Sequence, residues 1–186
     1  TDPPPPTATA TAPASPEPMV TETLSATLQT TAVEIATPTP PPTAVPPPTA
    51  PPAGLAGLSD EIWRAINEVR AANGLYPLAY NWSLAQAAQS HAEDCSLRGW
   101  CSHAGSDGST AAARILRAGY PAAGTAECWV QAISSAAARS FWMDEVPPDD
   151  AHRRTVLSTY LTEIGIGYAP AAYGWFIIAD FGRPSH

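Results

Sequence analysis

All 15 aromatic residues and all nine basic residues of this 186-residue chain lie after residue 57. The first 57 residues hold 16 of the 22 prolines and, as charges, only Asp2, Glu17, Glu22 and Glu34. Such a stretch buries too little apolar surface to offset its ordering entropy. The sequence therefore predicts a Thr/Ala/Pro-rich disordered linker or stalk over 1–57 and one folded domain over 58–186, an ordinary size for a single core. Proline holds φ near the polyproline value, so the linker reads as extended, about 3.1 Å per residue at full reach. Thr/Pro-rich stalks of this kind are typical of exported proteins and are often O-glycosylated. The chain starts at Thr1, which reads as a processed or trimmed product.

Composition narrows function. The formal net charge is −8, so the electrostatic footprint of a nucleic-acid binder is missing. Every basic residue is Arg. Without a Lys amine, Schiff-base chemistry and a P-loop are excluded. No apolar run reaches 18 residues, so no transmembrane helix is expected.

Along the domain, Ser59 reads as an N-cap. Asp60 and Glu61 follow in the first turn, and Ile62, Ile66 and Val69 recur at helical spacing up to Asn73-Gly74. Asn81 or Ser83 caps a second, Ala-rich helix, WSLAQAAQSHAEDCS. A Gly/Ser loop, CSHAGSDGST, leads to a third helix over 109–117, stopped by Gly119 and Pro121. Residues 127–133 are ambiguous between strand and helix. A fourth helix spans 134–145 and breaks at Pro147-Pro148. EIGIGYAP and GWFIIADFG, joined by a turn around 171–174, read as a terminal β-hairpin. Helices first and strands last predict an α+β fold with helices packed on an antiparallel sheet.

Cys95 and Cys101 flank the short loop SLRGW. Their spacing and the exported character of the linker point to a disulfide; zinc ligation is the rival, without a paired C-x-x-C to support it. Cys128 is left as a buried free thiol, or as a reactive one.

His103, Glu127, Glu145 and His152 each fall at the end of a predicted element, where cleft residues tend to sit. Imidazoles ligate metals; carboxylates act as bases, shuttle protons or orient imidazoles. Spacing alone leaves open whether the four share a site.

HAEDCSLRGWCSH, FWMDEVPPDDAHRRTVLSTYLTEIGIGYAP and GWFIIADFG resemble the CAP superfamily of cysteine-rich secretory, antigen 5 and pathogenesis-related proteins, in the bacterial form without the cysteine-rich extension. The specific parts are Trp-x-x-Glu before a break, His-Arg after it, Thr-Glu-Ile-Gly-Ile-Gly and the closing Ala-Asp-Phe-Gly, over about residues 58–183. The resemblance implies an α-β-α sandwich with a cleft lined by His103, Glu127, Glu145 and His152. It implies further that His103 and His152 hold a divalent ion, often zinc. Two positions depart from the pattern: Gly-Glu-Asn is Ala126-Glu127-Cys128, and the Asn that follows His-Arg-x is Thr155.

Three functions fit. The first is an exported binding module for a metal, lipid, peptide or other small ligand, associated with a cell wall or surface through the linker. The second is a metal-dependent hydrolase with Glu127 or Glu145 as catalytic base. Against it stand the absence of H-E-x-x-H, of an obvious third protein ligand and of a G-x-S-x-G elbow. The third is a structural surface domain with a vestigial cleft.

Overall fold

The computed structural model describes residue 54 and residues 56–185. The linker expected over 1–57 therefore lies, except for residues 54, 56 and 57, outside the described residues. The described elements are α1 (Gly57–Ala72), β1 (Ala79–Tyr80), α2 (Trp82–Arg98), α3 (Ala111–Arg117), β2 (Ala122–Ala132), α4 (Ser135–Met143), α5 (Ala151–Val156), β3 (Glu163–Pro170) and β4 (Trp175–Pro184). The strands form one sheet in the order β1-β3-β4-β2. Helices α2 and α3 cover one face, and α1, α4 and α5 cover the other. This is the α-β-α sandwich that the resemblance implies.

Strand alternation sorts the two layers. Cys128, Val130 and Ala132 of β2, Ile164 and Ile166 of β3, and Ile177, Ala179 and Phe181 of β4 join Ile62, Trp63, Ile66 and Trp142 in the larger core. Glu127 and Trp129 alternate to the α2 and α3 side, as do Ile178 and Asp180. Ile178 packs there with Ala88, Ala92 and Ala169.

The Ala-rich face of α2 meets β3 backbone to backbone. A Cβ on Gly165 would overlap Leu84 and the amide nitrogen of Ala85, and one on Gly167 would overlap the backbone of Ala88 and Gln89. Gln89 then bridges the gap as a strand would. Its side-chain oxygen accepts from the Tyr168 amide at 3.0 Å and its side-chain nitrogen donates to the Tyr168 carbonyl at 3.1 Å.

Several local expectations change. Ser59 is not the cap of α1. The helix starts three residues earlier, with Ala56 in the cap position and no side-chain cap bond. Ser59 is instead buried and donates to the Ile166 carbonyl. Asn81 caps α2 by accepting from the amides of Ser83 and Leu84. Thr110 caps α3 and Ser134 caps α4. The fourth helix ends at Met143, so Glu145 lies in the loop beyond it. The ambiguous stretch is strand, and it extends back to Ala122. The terminal hairpin forms with the register Gly167↔Ile178 and turns at Gly174, which has φ of 73°. The sheet is not wholly antiparallel, because the two-residue β1 pairs parallel to β3. Buried Arg70 joins α1 to the chain after α5 by donating to the Val156 and Ser158 carbonyls at 2.7 and 2.8 Å.

Cys95 and Cys101 are joined in a disulfide, and Cys128 is a buried free thiol. Among the described residues no helix is long and apolar enough to cross a membrane.

Two outcomes follow. Gly167→Ala costs about 3 kcal/mol by overpacking. Gly99→Ala, at a left-handed position with open space around it, costs only about 1–2 kcal/mol of backbone strain; urea denaturation of both variants checks the order. Unreduced, denatured protein titrates one thiol per chain, and reduction lowers stability by about 2 kcal/mol through the freed short loop, measured by paired melts with and without a reductant.

Candidate functional site

Residues 99–110 leave the C-terminal end of α2 at Gly99, whose φ of 74° turns the chain. His103 lies in this loop, and its Nδ1 is 2.7 Å from Glu127 Oε1. Glu127 projects from β2 with its side chain 2% exposed, whereas the His103 side chain is 59% exposed. The imidazole is thus held at its root by a buried acid while its far edge faces solvent. Trp129, two residues along the same face of β2, meets the ring edge-on with centroids 6.4 Å apart.

Buried Arg114 of α3 completes this half. One guanidinium nitrogen donates to Glu127 Oε2 at 2.5 Å and to the His103 carbonyl at 3.2 Å. The other donates to the Ser109 carbonyl at 2.9 Å. A single cation therefore neutralises the acid and fixes both ends of the loop that carries His103. Burial acts to raise the Glu127 pKa. The His103 hydrogen bond and the Arg114 charge outweigh it and hold the carboxyl below its ordinary value.

Asp180 lies directly across the sheet from Glu127. It is fully buried, and no donor reaches either of its oxygens. Burial and the adjacent Glu127 charge both push its pKa up. Two facing carboxyls are tolerated when one keeps its proton, and the upward shift of Asp180 against the downward shift of Glu127 favours Asp180 as its holder.

Glu145 and His152 form the second half. His152 Nδ1 is 2.5 Å from Glu145 Oε1. Glu145 Oε2 accepts from the backbone amides of His152 and Arg153 at 2.8 and 3.2 Å. Glu145 is thus the side-chain cap of α5, a task that Asp150, in the cap position, does not perform. Partial burial raises its pKa, but the His152 contact and the two amides win and hold it low. Exposed Phe141 lies 5.8 Å from the His152 ring between centroids.

The four sequence-predicted residues form two separate His–Glu pairs, His103 with Glu127 of β2, the edge strand of the sheet, and His152 with Glu145. Among the described residues no hydrogen bond, ion pair or ring contact links the pairs directly. Their link is β2 itself. Trp142 of α4 donates to the Trp129 carbonyl, and buried Cys128 senses the charges of both Glu145 and Glu127 while its thiol meets Thr155. Burial pushes that thiol up, which makes Cys128 inert rather than reactive.

In both pairs the carboxylate engages Nδ1. No hydrogen bond to Nε2 of either ring is present among the described residues, so Nε2 is the nitrogen each ring offers to a ligand. The only described group of three His, Cys or acidic ligand atoms within 4.8 Å of one another is elsewhere, at His91, Cys95 and Cys101. The disulfide occupies both of those sulfurs.

Sequence reasoning missed Arg114, Asp180 and Trp129. Asp180 carried a signal, as the lone acid inside the apolar strand FIIADF, since unpaired acids are almost never fully buried. Arg114 carried none, because an Arg in a short Ala-rich helix normally reads as solvated.

The family model for CAP, the cysteine-rich secretory protein family, matches residues 63–181. No curated protein matches the sequence significantly. Among solved structures, the chain is similar to an extracellular SCP-domain protein from Bacillus anthracis, with a TM-score of 0.61 and 23% identity over 68% of this chain. It spans 40% of that protein's length. It is also similar to an outer surface protein from Borrelia burgdorferi, with a TM-score of 0.61 and 19% identity over 70% of this chain and 97% of that one. A third similar structure is NaASP2 with Zn2+, with a TM-score of 0.52 and 11% identity over 73% of this chain and 85% of that one. These likenesses are of fold, and with the family match over most of the domain they establish that the chain belongs to the CAP, or cysteine-rich secretory protein, family.

Proposed function

We propose that this chain is an exported binding module in which His103 and His152 hold a divalent cation, zinc first among candidates, beside a small ligand. Residues 1–57 serve as the stalk and 58–186 as the binding domain. The observation that carries the reading is the orientation of the two imidazoles. A ligating His typically gives its second nitrogen to a carboxylate, which fixes the tautomer and raises the basicity of the ligand nitrogen. Glu127 and Glu145 each take Nδ1 in this way. The donor set suits zinc, for which imidazole is a preferred ligand. The zinc in the NaASP2 structure is in keeping with this choice.

The cation, when bound, supplies a Lewis-acid centre that attracts a polar ligand group. The chain's own residues do the rest. Glu127 and Glu145 orient the rings and balance charge, and Arg114 keeps Glu127 ionised in its buried setting. Trp129 and exposed Phe141 place an aromatic surface beside each His. A ligand with a polar head and an apolar body, such as a lipid or an apolar peptide, fits that pairing. Two protein nitrogens leave ligand positions open, so affinity is modest beside a four-ligand structural site.

Zinc calorimetry at about pH 7.5 and about pH 5.5 tests the reading, since free imidazole takes up a proton near about 6.5. Wild type binds at the higher pH and loses affinity at the lower. His103→Ala and His152→Ala abolish binding, and Glu145→Gln weakens it by about tenfold to a hundredfold. Equal affinity in all four proteins, or none dependent on pH, overturns the metal site in favour of a structural domain.

Glu145→Gln also has a stability signature. The folded pKa of Glu145 is depressed, so its contribution is present above the unfolded carboxylate value of about 4.3. It is lost as pH falls through the folded value. The variant therefore melts below wild type at neutral pH by about 1 kcal/mol, a lost helix cap. The gap closes in acid, as melts across the pH range will read.

A further inference from the structure

Among the described residues β2 is an edge strand, with β4 on one side and no strand on the other. Which of its main-chain groups face the open side follows from the register. Tyr168 of β3 gives both its amide and its carbonyl to Gln89, away from β4. Its partner Ile177 therefore faces β2, and Val130, opposite Ile177, faces β4. Alternation sends Ala126 and Cys128 the same way as Val130, and sends Thr125, Glu127 and Trp129 to the open side.

Two side chains bond to this edge among the described residues. Tyr160 donates to the Ala123 carbonyl at one end, and Trp142 donates to the Trp129 carbonyl at the other. Between them, the amides and carbonyls of Thr125 and Glu127 have no hydrogen-bond partner among the described residues. The Glu127 side chain is 2% exposed, yet the residue as a whole is half-buried. Its accessible surface is therefore main chain, and the edge is open to solvent at this point. Two donor–acceptor pairs, two residues apart on an extended backbone, are what a further antiparallel strand takes up. Three residues of an extended peptide satisfy all four groups.

The flanks set the occupant. Helix α3 stands on one face of β2, and α4 and α5 stand on the other. A single strand fits between these layers, whereas a second copy of the domain would bring its own helices against them. The peptide residues opposite Thr125 and Glu127 share the Glu127 face, and the residue between them, opposite Ala126, points to the α4 and α5 face. There the loop after α4 carries exposed Asp144 and Asp149. Asp144 is two residues past Trp142, whose indole reaches the edge. The cations nearest in sequence are engaged elsewhere, Arg154 with Asp150 and Arg153 with the Met143 carbonyl. The whole chain carries a net charge of −8. A basic side chain at the middle position complements this face.

We propose that β2 binds an extended peptide with a basic residue at its centre, paired antiparallel to Thr125 and Glu127. The proposal names the ligand class of the binding-module reading and rests on it, without needing the cation.

The test is a titration of the full chain, 15N-labelled and with a chelator present, with acetyl-Ser-Val-Arg-Val-Ser-amide, followed by amide shifts. Both Val amides face β2 in the proposed register, so the peptide N-methylated at both Val is one control. The other carries Glu in place of Arg. Saturable shifts centred on Thr125 and Glu127 are expected, with binding of each control at least about tenfold weaker. Thr125→Pro removes one edge donor at a position where an edge strand tolerates proline. It weakens the peptide by about threefold to tenfold while zinc calorimetry stays that of wild type. No saturable shift, equal binding of either control, or undiminished binding in Thr125→Pro overturns the proposal. So does a dimer in analytical ultracentrifugation that Thr125→Pro abolishes, which gives the edge to a second copy. Because zinc binding is read separately, either proposal can fail alone.

Discussion

The close contact between α2 and the backbone of β3 is the constraint from which the rest of the architecture follows. Gly165 and Gly167 leave no side chain between strand and helix, so small residues such as Ala85 and Ala88 sit directly on the sheet. That fixes the height of α2, and hence the point from which the 99–110 loop departs toward β2. The disulfide from Cys95, in the last turn of α2, to Cys101 ties the start of that loop back to the helix. Two residues on, His103 has little freedom but to meet the edge strand. The position of the His103 imidazole is thus set by the absence of two Cβ atoms.

Electrostatics then holds what packing has placed. Glu127 and Asp180 face each other across β2 and β4 in a layer closed by α2 and α3. Two ionised carboxylates there would be unsupportable. Arg114 resolves the conflict for one, and a retained proton resolves it for the other. Because the same guanidinium also binds the carbonyls of His103 and Ser109, charge balance and loop conformation are one interaction. Loosening the loop would expose a buried acid, and removing the acid would release the loop.

The sequence was legible where the physics is local or periodic. Apolar spacing placed α1, the Asn81 cap and Ala-rich composition placed α2, and apolar alternation placed the terminal hairpin. It was less legible where a residue serves a distant partner. Ser59 has the chemistry of a cap, yet its hydroxyl serves β3, 107 residues away. Glu145 reads as the end of one helix and is the cap of the next. The six-residue α5 is too short for periodicity to reveal, and its cap is supplied from the preceding loop rather than from Asp150 beside it. His103, Glu127, Glu145 and His152 were grouped through resemblance, because nothing in their spacing shows that His103 answers to Glu127 and His152 to Glu145.

The two departures from the family pattern acquire meaning only in three dimensions. Buried Cys128, where the pattern has Asn, meets the half-buried Thr155, where it has another. An amide in a buried position demands several hydrogen bonds, while a thiol and a hydroxyl demand fewer. Thr155 also bonds back to the Ala151 carbonyl within α5, and Glu145 closes the other end of that helix at the amides of His152 and Arg153. The short helix is therefore pinned at its start by the same carboxylate that orients the His152 ring. It is pinned along its length by the residue that meets Cys128. The His152 ring can turn only by giving up the contact to the carboxylate that also caps the helix, so ring orientation and the order of α5 are coupled through Glu145.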